Sequence, residues 1–279
     1  MARYRRVVIV GVGLIGGSVA LALRARALAE RIVGVGRDKA SLQQALAAGI
    51  VDEAATSAQA AAEADLACIC TPVERIAEQV GLLLASGTEA WITDAGSVKA
   101  PIVRAVEERW PHRRLFVGSH PLAGSEKRGV QHARADLFEG RVTIVTPTEH
   151  TPAALVQEAT RFWQALGAHV RYASPEEHDR IVALTSHVPH GVAAALARIL
   201  PEHYRSYCAG GWRDTTRIAA GDASLWAGIL LMNRHNVLEA LDAFDESLRA
   251  FRQALQRDDL PAVVQWLEEG RQSREALGS

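Results

Sequence analysis

The chain has 279 residues, 48 % hydrophobic and 23 % charged, which is long enough for two domains with real cores. Its 31 basic and 32 acidic side chains nearly cancel, which excludes the net field that recruits nucleic acid or an anionic membrane. No apolar run approaches the ~20 residues of a membrane span, the N-terminal Met-Ala-Arg-Tyr-Arg-Arg lacks a signal-peptide pattern, and Cys68 and Cys70 share one apolar run, so reduced thiols and a cytoplasmic protein are expected.

Val7-Val8-Ile9-Val10 reads as a buried strand, and Gly11-Val12-Gly13-Leu14-Ile15-Gly16 follows it at once, opening an apolar helix. This is G-x-G-x-x-G in the context it requires. Gly11 allows the tight turn, Gly13 lets backbone approach a pyrophosphate, and Gly16 lets helix pack on strand, with Leu14 and Ile15 at the helix N-terminus that faces the phosphates. The next strand, residues 32–35, ends at Gly36-Arg37, where an acidic residue normally binds the adenosine ribose about 20 residues past the fingerprint. A guanidinium without a carboxylate favours NADP, while Asp38 leaves NAD open.

Residues 39–48 read as a helix closed by Gly49, and residues 66–70 as a strand ended by Thr71-Pro72 where the middle of a dinucleotide would lie. Thr71 serves equally well as a turn residue. Another strand, 90–93, leads into Asp94-Ala95-Gly96-Ser97-Val98-Lys99, where Ser97 reads either as a helix N-cap or as a partner of the next loop. That loop, Ser119-His120-Pro121-Leu122-Ala123-Gly124-Ser125-Glu126, follows the strand at 115–117 and places an imidazole and a carboxylate six residues apart. Strands at 142–145 and 170–172 then flank a helix begun by Thr151-Pro152 and followed by Gly167. The alternation predicts an α/β domain over residues 1–172, a doubly wound and mainly parallel sheet.

From 173 to 279 only helices are predicted. Ser174-Pro175-Glu176-Glu177 is a capping box, and the helix it opens runs to about Leu200 with a kink at Pro189. His187 and His190 share a face of that helix, and His178, opposite His187, reads as a buried histidine bonded to backbone. No third ligand stands at a recognisable spacing, so no metal is expected. Arg213 and Arg217, in Gly210-Gly211-Trp212-Arg213-Asp214-Thr215-Thr216-Arg217-Ile218, lie one turn apart if helical and could hold carboxylates. Apolar helical patterns over 224–255 and after Pro261 suggest a bundle that buries a shared face against a second copy.

The glycine fingerprint, Asp94-Ala95-Gly96-Ser97-Val98-Lys99, His120-Pro121-Leu122-Ala123-Gly124-Ser125-Glu126, Ser186-His187-Val188-Pro189-His190 and Arg213-Asp214-Thr215-Thr216-Arg217-Ile218-Ala219 together resemble the prephenate/arogenate dehydrogenase family, in order and over most of the chain. The resemblance implies a Rossmann domain followed by an all-α dimerisation domain, and NAD(P)-dependent oxidative decarboxylation in the making of tyrosine. It implies that His120 is the catalytic histidine bonded to the substrate's ring hydroxyl, and that Ser97 bonds the same hydroxyl beside the nicotinamide. Arg217 would bind a substrate carboxylate with Arg213 as second choice, while His187, His190 and Glu126 would line the pocket. Gly36 departs from the acid of NAD-preferring members and looks like the NADP-using ones. Whether prephenate, arogenate or both is the substrate stays open. A hydroxyacid dehydrogenase or imine reductase, and a protein that senses NADP(H) without turnover, are the competing readings.

Overall fold

The computed structural model describes residues 4–57, 63–125 and 127–278, and the chain divides into two compact units, Met1–Asn233 and Arg234–Ser279. The first unit holds strands β1 (Tyr4–Val10), β2 (Ala29–Val35), β3 (Glu53–Ala55), β4 (Leu66–Ile69), β5 (Trp91–Asp94), β6 (Phe116–Pro121), β7 (Val142–Thr146) and β8 (His169–Tyr172). They form one sheet in the order β3-β2-β1-β4-β5-β6-β7-β8, parallel throughout except where β7 runs against β6. Helices α1 (Leu14–Ala25), α2 (Lys39–Ala47), α3 (Val73–Ala85), α4 (Ala100–Arg109) and α5 (Ala153–Ala165) connect the strands.

Alternation along each strand divides the core in two. Val7, Ile9, Leu66 and Cys68 meet Val19 and Leu23 of α1 and Phe162 and Trp163 of α5 on one face. Val8, Val10, Ala67 and Ile69 meet Ile76 and Val80 of α3 and Ile102 and Val106 of α4 on the other. Because both faces are covered, the central strands are continuous apolar runs rather than alternating ones. Strand order reverses direction between β1 and β4, so a crevice opens at the carboxyl ends of those strands, the usual place for a ligand in such a sheet.

The first unit continues through α6 (Pro175–Val182), a π-helical turn (Ala183–His187), α7 (Val188–Arg198), a 3-10 segment (Glu202–Tyr207), α8 (Gly210–Thr216), a second 3-10 turn (Arg217–Ala220) and α9 (Ala223–Met232). The second unit is a pair of helices, α10 (Arg234–Gln256) and α11 (Leu260–Glu275). They are pinned to each other by stacking of Phe251 on Trp266, with ring centroids 4.5 Å apart, and by the Trp266 indole N–H donating to Ser247 Oγ. Asp259 caps α11, and Leu238, Leu255, Leu260, Val264 and Leu267 of the pair are exposed. No described helix is long and apolar enough to cross a membrane.

Local rules misplace several residues. His120 lies within strand β6, not on a loop, because its backbone pairs with Ile144 of β7 across residues whose own pattern does not reveal an antiparallel neighbour. Ser97 does not cap α4: Lys99 holds the N-cap position, and the amides of Lys99 and Ala100 are taken by the distant Asp179 carboxylate at 2.7 and 2.9 Å. The Thr151 hydroxyl accepts from the Thr148 amide instead of capping α5, whose N-cap is Pro152. Ser174 caps α6, its Oγ accepting from the Glu177 amide, while the Glu177 carboxylate pairs with Arg180 rather than closing the box, and the long helix is not simply kinked at Pro189. A π turn precedes that proline and supplies the break. Strand β3 went unread because three residues are too few to show a period.

Candidate active site

The glycine loop and the ends of β4 and β5 form a cradle suited to a dinucleotide. Gly11 has φ +96°, and a Cβ there would meet the Cys70 carbonyl oxygen at 2.7 Å, while one on Gly16 would meet the Gly11 carbonyl oxygen at 2.1 Å. These two must be glycine for the loop to close on the sheet. Gly13 differs: a Cβ there would find nothing within 4 Å, so that side is open space for a ligand to approach backbone. No side chain caps α1, leaving its first amides for an anion, and the Thr71 hydroxyl is buried without a protein partner beside them. Pro72 forms the N-cap of α3.

At the end of β2 a side chain on Gly36 would have room, since its Cβ would approach Leu42 no nearer than 3.6 Å, and Arg37 is exposed. Asp38 is committed to its own helix. It accepts from the Ala40 amide at 3.0 Å and the Ser41 hydroxyl at 2.6 Å, and the Ser41 bond chiefly holds its carboxyl below the usual range.

A buried ion pair ties the turn that carries Ser97 to β6, which carries His120. Asp94 and Lys99 are both 0 % exposed and in contact through Oδ2 and Nζ. Asp94 also accepts from the Gly96 amide at 2.9 Å and the Ser119 amide at 3.0 Å, and Lys99 Nζ donates to the Ser119 carbonyl at 3.0 Å. One carboxylate thus fixes the turn before Ser97 and the residue before His120. Burial pulls the Lys99 ammonium down from its usual pKa, and Asp94 opposes that shift.

His120 is buried, with Nδ1 2.8 Å from Nε2 of His178, and His178 Nδ1 lies 2.8 Å from Asp179 Oδ1. Burial, together with the nearby His178, Lys99 and His187, holds His120 well below the ordinary histidine pKa, and burial lowers His178 in the same way. Both rings are therefore neutral at physiological pH. His178, expected to bond to backbone, instead bonds to the very histidine that the motif singles out. The π turn explains the misreading, since an extra residue in the turn swings the following helix by roughly 100° relative to ideal geometry.

His187 and His190 are buried close by. Asn233 Nδ2 donates to the Asp179 carbonyl at 2.8 Å and lies 3.1 Å from His187 Nδ1, while the Nε2 of His187 has no partner. Burial lowers the pKa of His187 to about 4. His190 stacks on Trp226 with centroids 3.6 Å apart, and its Nδ1 is buried and unpartnered. His187 Nε2 and His190 Nδ1 are thus two buried nitrogens to which the protein supplies no hydrogen-bond partner.

Arg213 is exposed on α8 and its Nε donates to the Cys208 carbonyl at 3.2 Å, whereas Arg217 begins the 3-10 turn that packs against α7, the helix of His190. The segment is helical and Arg217, its C-cap, keeps αR backbone angles, so the two exposed arginines stand one turn apart as expected. Glu126 lies outside the described residues. Arg128, just after it, forms a close ion pair with Asp222, the N-cap of α9. Sequence reasoning missed His178, Asp179, Lys99, Asn233 and Trp226. Of these only Lys99 carried a signal, as the last residue of the Asp94 motif.

A dinucleotide cradle beside a buried neutral histidine on a doubly wound sheet defines a nucleotide-dependent dehydrogenase. The family "Prephenate dehydrogenase, nucleotide-binding domain" matches residues 19–172, and "Prephenate dehydrogenase, dimerization domain" matches residues 174–269. The chain is 34 % identical to the prephenate dehydrogenase of Bacillus subtilis (strain 168), over 97 % of this chain and 76 % of that protein. It is 32 % identical to the cyclohexadienyl dehydrogenase of Zymomonas mobilis, over 99 % and 97 %. Among solved structures it superposes on prephenate dehydrogenase from A. aeolicus, in complex with hydroxyphenyl propionate and NAD+, with a TM-score of 0.91 at 34 % identity and 98 % coverage of each chain. The chain belongs to the prephenate dehydrogenase family and is an NAD(P)-dependent oxidoreductase. The hydroxyacid dehydrogenase reading survives only as a likeness of fold, at a TM-score of 0.53 and 17 % identity to a 3-hydroxyisobutyrate dehydrogenase.

Proposed function

We propose that this chain oxidatively decarboxylates prephenate to 4-hydroxyphenylpyruvate, with His120 as the base. The observation that carries the proposal is a buried, neutral imidazole at the sheet end that also bears the glycine cradle, with one ring nitrogen held by His178. A bound nicotinamide supplies the hydride acceptor. As the ring hydroxyl of the substrate becomes a carbonyl, His120 takes its proton, and Ser97, on the turn fixed by Asp94, donates to or accepts from the same oxygen. Loss of the ring carboxylate as carbon dioxide then leaves an aromatic ring, so the protein mainly orients the substrate and takes one proton. Arg217 grips a carboxylate by its fork, with Arg213 as second choice, and His187 and His190 line the pocket.

The cofactor is NADP in preference to NAD. Gly36 supplies no carboxylate, Arg37 is exposed to receive a 2′-phosphate, and Asp38, tied to Ala40 and Ser41, is withdrawn from the ribose. We read the functional boundary at 172/173, a reading supported by one family match ending at 172 and the other beginning at 174, and the helical part pairs two copies, burying exposed apolar side chains such as Leu260 and Val264. The protein works in the cytoplasm, its three cysteines being unpaired thiols.

An absorbance assay of the reduced cofactor, with prephenate and arogenate each offered NADP+ and NAD+, tests these assignments. Turnover of prephenate to an aromatic product with the higher kcat/KM for NADP+ is the expected result. Arogenate turned over faster than prephenate would reassign the substrate, as the cyclohexadienyl relative allows, and nucleotide binding without turnover would make the protein a sensor. Arg37→Ala should lower the NADP+ to NAD+ ratio by about tenfold, the worth of one charge-assisted bond. An unchanged ratio would remove Arg37 from the phosphate site.

A further inference from the structure

We propose that His178 and Asp179 are positioning residues that fix the ring tautomer of His120, leaving its Nε2 lone pair bare for the substrate hydroxyl. The proposal rests on the reading of His120 as the base.

The argument starts at Asp179. Its two oxygens each take a backbone amide at the start of α4, Lys99 on Oδ1 and Ala100 on Oδ2. Burial raises the Asp179 carboxyl above its usual range, but both oxygens already accept a backbone N–H and Lys99 lies near, which hold it as the carboxylate, a group that can only accept. The contact with His178 at Oδ1 is then a bond donated by His178 Nδ1–H. A neutral imidazole carries one proton, so His178 Nε2 is an acceptor. The ring nitrogen 2.8 Å away, His120 Nδ1, must be the donor. His120 is also neutral, and its one proton is now placed on Nδ1. Its Nε2 is therefore the proton acceptor.

The opposite tautomer would set two N–H groups or two lone pairs against each other at a buried 2.8 Å contact, with no water to relieve it. When His120 takes the hydroxyl proton, the new N–H bond forms at Nε2 and the Nδ1–H stays bonded to His178. The positive charge then faces an acceptor backed by a carboxylate. The other charged or titratable groups around this pair are Lys99 and His187, both of which disfavour charge on it. The Asp179 carboxylate is the opposing group, and it also ties α6 to the start of α4.

The test compares His178→Phe, which keeps the ring shape and removes the acceptor, with His178→Gln. The glutamine amide keeps the same polarity, its oxygen accepting from His120 and its N–H donating towards Asp179. His178→Phe should lower kcat for prephenate by a factor on the order of 10² to 10⁴, the cost of a wrongly protonated base, with KM and nucleotide affinity changed by less than about threefold. His178→Gln should stay within about tenfold of wild-type kcat. In His120→Asn, adding His178→Phe should cost no more than about a further threefold, because the positioning residue acts only through His120. A His178→Phe enzyme with near-normal kcat, or a His178→Gln enzyme as slow as the phenylalanine variant, overturns the proposal.

Should His178→Phe fail to fold, the 15N histidine spectrum of the wild type decides. His120, identified by the signal lost in His120→Asn, should carry its proton on Nδ1, and a proton on Nε2 overturns the tautomer. The underlying reading fails separately: a His120→Asn enzyme that turns over normally removes the base, whereas a dead His120→Asn beside a normal His178→Phe removes only the positioning pair.

Discussion

Two pairs of buried histidines sit in this unit, and they are wired differently. In the first, His120 and His178, the facing nitrogens and the nitrogen turned to Asp179 all have protein partners, and the chain of bonds ends on backbone amides of α4. In the second, His187 and His190, one nitrogen of each ring is buried without a partner, while the rings themselves are held by Asn233 and by stacking on Trp226. A group meant to move a proton needs its orientation and protonation decided in advance. In the proposed function the first pair carries the chemistry and the second lines the substrate site.

The largest expected effect breaks the first pair. His120→Asn should lower kcat by about 10² to 10⁴ while nucleotide affinity, measured by fluorescence titration, is kept. Near-normal turnover would dissolve the distinction between the pairs. On the recognition side Arg217→Ala should raise KM for prephenate by about 10- to 100-fold with little change in kcat, as loss of a charge-assisted bond does. An unchanged KM would move the carboxylate contact to Arg213. His187→Phe should raise KM by about 5- to 15-fold, the worth of one neutral bond, and a fall in kcat without a change in KM would place His187 with the chemical pair.

The smallest effect concerns stability. His187 has its pKa lowered from 6.5 to about 4, by burial first, with His190 adding and Asp179 opposing. The folded state therefore binds fewer protons than the unfolded one between those values, and stability rises with pH. The contribution is complete above pH 6.5 and is lost as the pH falls towards 4. Thermal midpoints should decline over that window, and His187→Phe should flatten the decline by about 1–3 kcal/mol of unfolding free energy. An equal slope in the variant would show that His187 does not feel its burial.

The dinucleotide half was legible because its signals are local. The Gly11-x-Gly13-x-x-Gly16 spacing is a short contiguous motif, and the apolar runs of β1 and β4 follow from a sheet covered on both faces. His120, Ser97, His187 and His190 could also be picked out in the sequence, as residue types in motifs. Their wiring could not, because it joins residues far apart in the chain: Asp179 caps a helix that begins at Ala100, and His178 answers a strand residue 58 positions earlier. Periodicity even pointed the wrong way for His178, since a single π turn at residues 183–187 is invisible to a rule of constant rotation. The sequence by itself thus determined which backbone could fold around a dinucleotide and which side chains could act there. Only the tertiary structure decided which of those side chains face each other, because bond direction between buried rings depends on distances that no spacing along the chain encodes.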